Sequence, residues 1–236
     1  MITPAQIQEI ESASLPEAVR LISDLFPGKV VFSSSLGQED QVLTDVIYKH
    51  KLSVKIFTID TGRLFPETYD LIEKTVARYN QQLRVYFPES SDVENYVANA
   101  GVNGFYESIE NRKSCCHIRK VKPLERALQG SSVWMTGLRA GQSGNRKSMQ
   151  MIEWSEEKQL YKFNPLIHWS MDAVLEYIST HQVPYNVLHD QSFPSIGCAP
   201  CTRAVMPGED ARAGRWWWET SQKECGLHSE VIRAEV

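Results

Sequence analysis

The stretch Val30-Val31-Phe32-Ser33-Ser34-Ser35-Leu36-Gly37-Gln38 decides the fold class predicted for this chain. Its apolar start predicts a buried strand, its serines and Gly37 predict a loop, and residues 38–50 show the periodicity of a helix. A strand, a Ser/Gly loop and a helix in this order present backbone N–H groups and a positive dipole end to an anion. The pattern therefore indicates an anion site, although a serine-rich turn without a ligand looks the same.

Strands and helices continue to alternate outward from this stretch. Further strands are predicted at 54–59, 83–87 and 132–136, and helices at 4–25, 66–80, 91–100, 113–128 and 171–181. Residues 149–154 and 160–163 predict a hairpin. The alternation predicts an α/β fold with a parallel sheet and right-handed crossovers.

Ligands of such sheets bind outside the carboxyl ends of the strands. The serine loop, Asp60-Thr61-Gly62 and the loop 137–144 all follow predicted strands. Asp60 is therefore a candidate for contacts with a ribose or an adenine edge, and a polar turn at a strand end explains it equally well.

The composition favours one compact domain with a C-terminal extension. With 236 residues and 42% hydrophobic residues, the chain can bury a sizeable core. We expect a nucleotide-binding α/β domain that carries the cysteines over residues 1–210, and a C-terminal segment over 211–236. The net charge of −4 argues against a nucleic-acid partner.

Positive charge is concentrated around the cysteines. Residues 111–126 hold six Lys or Arg and one Glu, and residues 137–150 hold three basic residues and no acidic one. This distribution predicts that a small anion binds there, although a solvated helix face would account for either segment alone.

The N-terminus has neither the basic nor the apolar part of a signal peptide. No apolar run approaches the roughly 20 residues of a membrane span. We therefore expect a cytoplasmic protein without a membrane partner. Cysteines clustered in that reducing compartment indicate metal binding or catalysis rather than disulfides.

Four of the five cysteines form two pairs, Cys115-Cys116 and Cys198-Ala199-Pro200-Cys201, and 81 residues lie between the two pairs. Neighbouring residues on a helix diverge by about 100°, so Cys115 and Cys116 hardly chelate one zinc ion but can bind two irons of one cluster. An iron–sulfur cluster is the favoured interpretation, with zinc or ordinary buried cysteines as alternatives.

Two further residues near these pairs are candidates for chemistry. Lys120 lies one helical turn after Cys116, where its ammonium group can face a cluster and an anionic ligand; the alternative is an exposed helix lysine. Cys225 is left over from the four. Lys223 and His228 can lower its thiol pKa, so it is a candidate nucleophile on a mobile tail, or else an incidental surface thiol.

Together, these motifs closely resemble the assimilatory adenylyl-sulfate reductase family from about residue 30 to 228. The resemblance rests on the following segments: residues 34–40, Asp60-Thr61-Gly62-Arg63, residues 112–120, Gly137-Leu138-Arg139, residues 197–201, residues 212–219 and Lys223-Glu224-Cys225-Gly226-Leu227-His228. It implies a parallel-sheet three-layer sandwich of the adenine-nucleotide α-hydrolase-like class, with a flexible C-terminal tail.

The resemblance also implies a reaction. The Cys225 thiolate would attack the sulfur of adenosine 5′-phosphosulfate (APS), expel AMP and form S-sulfocysteine, from which thioredoxin releases sulfite. Cys115, Cys116, Cys198 and Cys201 match ligands of a [4Fe-4S] cluster. The substrate-binding residues that it implies are Ser34, Ser35, Gly37, Asp60, Lys120, Arg139, Arg212, Arg215 and His228.

Further expectations concern the reductant, the oligomeric state and the alternative functions. No fused redox domain follows His228 in the sequence, so we expect a separate thioredoxin or glutaredoxin as the reductant. A homo-oligomer is compatible with the sequence. The alternatives are a reductase of the 3′-phosphorylated nucleotide (PAPS) or of both nucleotides, an ATP pyrophosphatase-type ligase or sulfur transferase, and a zinc-binding interaction module. The ligase or sulfur transferase lacks support, because such enzymes usually carry a Ser-Gly-Gly-x-Asp-Ser loop and this sequence does not contain one.

Overall fold

A computed structural model describes residues 1–142, 146 and 148–219. The chain divides into two compact units. Unit 1 comprises residues 1–58, 71–84 and 128–185, and unit 2 comprises 59–70, 85–127 and 186–236. The predicted boundary at residue 210 stays a prediction, because most of the segment that it delimits lies outside the described residues.

Unit 1 contains most of a six-stranded sheet. Its strands are β1 (Val30–Ser33), β2 (Lys55–Ile59), β3 (Arg84–Tyr86), β4 (Val133–Met135), β5 (Ile152–Ser155) and β6 (Leu160–Phe163), in the order β3-β2-β1-β4-β6-β5. Strand β1 pairs in parallel with β2 and β4, and β4 pairs in parallel with β6. Strand β5 is antiparallel to β6, with which it forms a hairpin. The predicted α/β fold with a parallel sheet is confirmed.

The helices of unit 1 are α1 (Pro4–Ser12), α2 (Leu15–Leu25), α3 (Gln38–Lys49), part of α4 (Pro66–Tyr79) and α8 (Met171–His181). The single helix predicted over 4–25 is wrong, since the chain breaks at Ala13 and Ser14. Pro16 explains the break, because a proline in a helix interior clashes with the preceding turn, whereas at the second helical position it is tolerated.

The core of unit 1 lies on the sheet and its helices. Val30 and Phe32 of β1, Val133 of β4 and Phe163 of β6 are fully buried in one cluster with apolar residues of α2, α3 and α8. Strand β4 is buried along its whole length and β1 along all but its last residue, as is usual for parallel strands in the middle of a sheet. This packing fixes the loops that follow β1 and β4.

Unit 2 contains α5 (Ser90–Ala100), α6 (Ile109–Cys116), a π-helical turn over His117–Val121 and α7 (Lys122–Leu128). The sequence predicts one helix from residue 113. The structure starts it four residues earlier, because Ser108 caps it by accepting a hydrogen bond from the Asn111 N–H at 3.0 Å. Among the described residues, no helix is both long and apolar enough to cross a membrane.

Candidate functional site

The two cysteine pairs meet in unit 2. Cys115 and Cys116 end α6, and Cys198 and Cys201 flank a short 3₁₀ turn. All four are free thiols and belong to one apolar cluster with Tyr96, Phe105 and Trp216. They also line one cavity, so the structure brings together two cysteine pairs with 81 residues between them in the sequence.

Basic side chains line the same cavity, namely Arg63, Arg112, Arg119 and Lys120. Arg119 donates to the Thr61 carbonyl oxygen at 2.7 Å, and Arg63 donates to the Val102 carbonyl oxygen at 2.7 Å. Neutral carbonyls orient these guanidinium groups without cancelling their charge. The cavity therefore suits a negatively charged group.

The π-helical turn follows Cys116 directly and contains Arg119 and Lys120. Such turns are rare, and they occur mostly at functional sites. The turn widens the helix just where the sequence predicts ideal α-helical spacing between Cys116 and Lys120. Both basic residues nevertheless reach the cavity.

The cysteines differ in how readily they ionise. Burial raises the pKa of the Cys115 thiol, and burial together with the nearby Cys198 raises the pKa of Cys201 to about 12. Burial also opposes ionisation of Cys198, but the charge of Lys120 and the hydroxyl of Thr61, 3.3 Å from its Sγ, outweigh it and lower its pKa. The Cys115 and Cys201 thiols would therefore ionise readily only beside a cation.

Unpaired donors lie beside the cysteines. The Trp216 indole N–H and the Arg215 Nε are buried and find no hydrogen-bond acceptor among the described residues. Trp216 lines the cysteine cavity, and the Arg215 guanidinium packs over the Trp216 ring, 4.9 Å from its centre. A buried donor without an acceptor is costly. Sulfur atoms in the cavity would provide acceptors, so the residues present fit an iron–sulfur cluster.

A single metal ion fits less well. Over residues 1–142, 146 and 148–219, no three His, Cys, Asp or Glu side chains converge closely enough to hold one ion. Zinc requires that convergence because its thiolates lie about 2.3 Å from one centre. A four-iron cluster does not, since each thiolate binds its own iron.

Asp60 and Thr61 follow β2 and belong to unit 2. The Asp60 carboxylate accepts hydrogen bonds from the Gly62 N–H at 2.7 Å and from the Tyr69 hydroxyl at 3.0 Å. The predicted nucleotide contact of Asp60 would therefore use a carboxylate that already fixes its own turn. Thr61, to which the sequence assigns no role, contacts Cys198.

The predicted anion loop lies in unit 1. Ser35 donates from its N–H and its hydroxyl to Asp40 Oδ2, at 2.5 and 2.7 Å, and the buried Ser34 hydroxyl accepts from the Leu36 N–H at 3.2 Å. Leu36 adopts a φ of 63°, which is unusual for a non-glycine residue, and its side chain is buried in the core. Gly37 precedes α3 without a side-chain cap.

Asp40 is a site residue to which the sequence analysis assigns no role. It is buried in the first turn of α3, and burial raises its pKa to about 7 although hydrogen bonds from Ser35 oppose the rise. A Cβ at Gly137, after β4, would overlap its carboxylate. Asp40 therefore contacts both the loop after β1 and the loop after β4. These loops are far apart in the sequence, so only the tertiary structure reveals this contact.

Arg139 follows β4 and is almost fully buried. Its Nε donates to Glu39 Oε1 at 2.8 Å, and its guanidinium also reaches the Trp169 carbonyl oxygen at 3.4 Å. A nucleotide that binds Arg139, as the sequence predicts, must share it with Glu39.

The remaining predicted residues lie at the C-terminal side of unit 2. Arg215 is buried, and a Cβ at Gly197 would overlap its guanidinium group. Arg212 lies in a turn that its backbone N–H helps to close by donating to Asp210 Oδ1 at 2.8 Å. Cys225 and His228 lie outside the described residues.

The phosphoadenosine phosphosulfate reductase domain matches residues 29–204. The chain belongs to the APS/PAPS reductase family. It is 49% identical over 221 residues to an adenosine 5′-phosphosulfate reductase of Sinorhizobium fredii (strain USDA 257), which covers 93% of this chain and 88% of the relative. It is 52% identical over 200 residues to an enzyme of the same name from Allochromatium vinosum, which covers 84% and 78%.

Solved structures agree with the family and the fold. A phosphoadenylyl-sulfate reductase from Candida auris, solved as a phosphate complex, has a TM-score of 0.73 and 30% identity over 87% of this chain and 98% of that one. An FMN adenylyltransferase from Candida glabrata has a TM-score of 0.56 at 16% identity over 91% and 73%, which concerns the fold alone. The adenine-nucleotide α-hydrolase-like fold is confirmed.

Proposed function

We propose that the protein reduces APS to sulfite and AMP in sulfate assimilation and cysteine biosynthesis. The observation that carries this proposal is the gathering of four cysteines and four basic side chains around one cavity of unit 2. Relatives about half identical over most of their length, all named adenosine 5′-phosphosulfate reductase, support the choice of substrate. We place the reaction in the cytoplasm, where thiols stay reduced.

A [4Fe-4S] cluster would be held by Cys115, Cys116, Cys198 and Cys201. Bound there, it would supply an electrostatic field that polarises the site, without itself transferring electrons. The chain adds Lys120 and Arg119 beside it, and Trp216 supplies the N–H that otherwise lacks an acceptor. These residues would hold the sulfur end of the substrate near the cysteine cavity.

The thiol chemistry balances without a further redox group. The Cys225 thiolate attacks the APS sulfur, forming the S–S bond of S-sulfocysteine while the S–O bond to AMP breaks and AMP leaves with its electron pair. A thiolate of thioredoxin or glutaredoxin then attacks Cys225 Sγ and releases sulfite. The second thiol of the reductant resolves the mixed disulfide, so two electrons pass from dithiol to sulfur.

Charged and polar donors would bind the anionic ends of APS. Ser34, Ser35 and Gly37 present the loop for the phosphate, and Arg139 would add a guanidinium group. Lys120, Arg212, Arg215 and His228 would surround the sulfuryl group, and Asp60 would contact the nucleoside. Such donors stabilise charge that moves onto the leaving AMP.

PAPS is the second candidate substrate. The Candida auris structure is named a phosphoadenylyl-sulfate reductase and shares 30% identity with this chain. PAPS carries one additional phosphate, so its use requires additional cationic contacts. The relatives with higher identity favour APS.

A single turnover without reductant tests the proposal. Anaerobically purified protein is mixed with sulfur-labelled APS, or in parallel with labelled PAPS, and run on a non-reducing gel. We expect label on the parent protein from APS, released as sulfite by reduced thioredoxin, and no label on Cys225→Ser. Stronger labelling from PAPS would reverse the substrate assignment. No label from either nucleotide on protein with an intact cluster would refute the function.

A further inference from the structure

A buried ion pair links the cysteine helix to the end of the described chain. Arg112, three residues before Cys115 in α6, donates from Nε to Glu219 Oε1 at 2.9 Å and from Nη2 to Oε2 at 2.8 Å. Only 6% and 4% of the two side chains are exposed. The residues are 107 positions apart in the sequence. The pair is therefore a long-range, two-bond contact shielded from solvent.

The setting of this pair differs from that of a second arginine–glutamate pair in unit 2. Arg203 and Glu209 also make two hydrogen bonds of 2.8 Å, but about a third of each side chain is exposed, 35% and 32%. An exposed pair adds little to stability. A buried pair seldom adds more than apolar residues of the same size, and its best-attested use is to fix one arrangement of the chain.

What the buried pair fixes is the path of the chain after Trp216. The Arg112 guanidinium packs over the Trp216 ring, 4.8 Å from its centre, and the Glu219 N–H donates to the Trp216 carbonyl oxygen at 2.9 Å. Glu219 is thus tied both to α6 and to the tryptophan that lines the cysteine cavity. The chain leaves this wall of the cavity at a defined point.

The sequence beyond that point contains the candidate nucleophile. Cys225 lies six positions after Glu219 in the sequence, and six positions of extended chain span at most about 22 Å. A tether at Glu219 therefore limits where the Cys225 thiol can reach. Without the tether, the reach of the Cys225 thiol would be set by an anchored residue earlier in the chain.

We propose that Arg112 and Glu219 are a positioning pair that tethers the C-terminal segment to the cysteine helix and delivers Cys225 to the substrate sulfur. This role rests on the proposed function, because it assumes that Cys225 attacks APS. In this role, the two residues position Cys225 and do not themselves contact the reacting atoms. Its loss should slow the attack and leave nucleotide affinity nearly unchanged.

The test compares Glu219→Ala with Glu209→Ala, which removes the exposed pair of the same geometry. Three quantities are measured on the holoenzyme: iron content, kcat and KM for APS, and the rate at which iodoacetamide alkylates the peptide that contains Cys225. For Glu219→Ala we expect parental iron content, a kcat about 10- to 100-fold lower with KM within about threefold, and an alkylation rate that differs several-fold from that of the parent. Glu209→Ala should match the parent.

The alkylation rate separates positioning from mere folding, because it reports the Cys225 segment directly. Parental kcat and alkylation in an iron-loaded Glu219→Ala protein would overturn the proposal. If Glu219→Ala loses its iron, Glu219→Gln decides, since it keeps the shape and one acceptor. Iron-loaded Glu219→Gln should show smaller changes in the same direction, and parental values would overturn the proposal. Loss of iron in both variants would assign the pair to cluster retention instead.

The failure of the proposed function would look different. In that case the parent itself would acquire no label from APS, whereas a failed tether leaves the parent active and the Glu219 variants equally active. The alkylation measurement applies in either case, since it needs no turnover.

Discussion

The anion loop of unit 1 and the cysteine cavity of unit 2 differ in how completely they satisfy their own polar groups. In the loop, Ser35 donates twice to Asp40, and Arg139 is paired with Glu39. In the cavity, burial raises the pKa values of the Cys115 and Cys201 thiols, and the Trp216 N–H finds no acceptor among the described residues. The loop satisfies its own polar groups, whereas the cavity leaves buried groups that the proposed cluster would satisfy.

This difference separates two ways of building an anion site. The loop holds its shape through internal hydrogen bonds that a nucleotide must partly replace. The cavity gathers donors and sulfurs whose burial is unfavourable on its own and would become favourable with the proposed iron–sulfur cluster. We therefore expect substitutions in the cavity to act through the cofactor and substitutions in the loop to act through local stability.

Cys198→Ser should have the largest effect. A serine hydroxyl is a poor replacement for a thiolate on iron, so we expect loss of most of the iron and of sulfite release. The measurements are iron analysis, visible absorption and activity on anaerobically purified protein. Cys225→Ser is the matched control, expected to lose activity and keep the cluster. A fully iron-loaded Cys198→Ser protein would remove Cys198 from the ligand set.

Lys120→Ala should lower turnover without changing the fold. Removal of one cationic donor from a charge-stabilising site costs roughly 10²- to 10³-fold in kcat. We expect a loss of that size with parental iron content and melting temperature, and Lys120→Arg should retain part of the activity. An unchanged rate would show that Lys120 plays no part in the reaction.

Asp40→Asn should change how stability depends on pH. Because burial raises the pKa of Asp40 to about 7, the folded protein keeps a proton that the unfolded chain, with a pKa near 3.8, has lost. The stabilisation that this proton gives to the folded state is complete below about pH 4 and is lost as pH rises through 7. Its size is a few kcal/mol at most, at about 1.4 kcal/mol per pKa unit.

Urea titrations of the parent and of Asp40→Asn from pH 4 to 8 measure this effect. The unfolding free energy of the parent should fall relative to that of Asp40→Asn as pH rises. A parallel pH dependence in the two proteins would mean that Asp40 is ionised throughout the range.

Gly137→Ala should have the smallest effect, confined to the loop. The added Cβ overlaps the Asp40 carboxylate, and relief of such crowding costs about 1–3 kcal/mol. Gly141→Ala is the control, because its Cβ would stand 3.6 Å from the nearest Arg139 atom, an ordinary contact. Thermal unfolding measures both variants, and equal stability in the two would contradict the close approach of Asp40 to Gly137.

The sequence predicts those parts of the fold that local patterns control. The periodicity over 171–181 corresponds to α8 residue for residue, and five of the six strands lie within one residue of their predicted ends, whereas β5 begins three residues after its predicted start. The break at Ser14 shows where pattern alone fails, because Pro16 overrides a continuous apolar face. The π-helical turn at His117–Val121 has no signal in the periodicity either.

The site was predictable where residue type carries the chemistry. The two cysteine pairs lie together, as the hypothesis of one shared ligand set requires. The contacts of Asp40 with Gly137, Thr61 with Cys198 and Arg112 with Glu219 were not predictable, because they join residues that only the tertiary fold brings together. Two adjacent tryptophans show the same limit: Trp216 is buried in the cavity wall while Trp217 is 40% exposed.

Iron and sulfide analysis of anaerobically purified protein, combined with Mössbauer spectra during turnover, tests the central claim most directly. We expect about four irons and four sulfides per chain, with an unchanged oxidation state while sulfite is released from APS. Protein that contains zinc or no metal and still releases sulfite would contradict the account of the cysteine cavity. A cluster that changes oxidation state during turnover would contradict its purely electrostatic role.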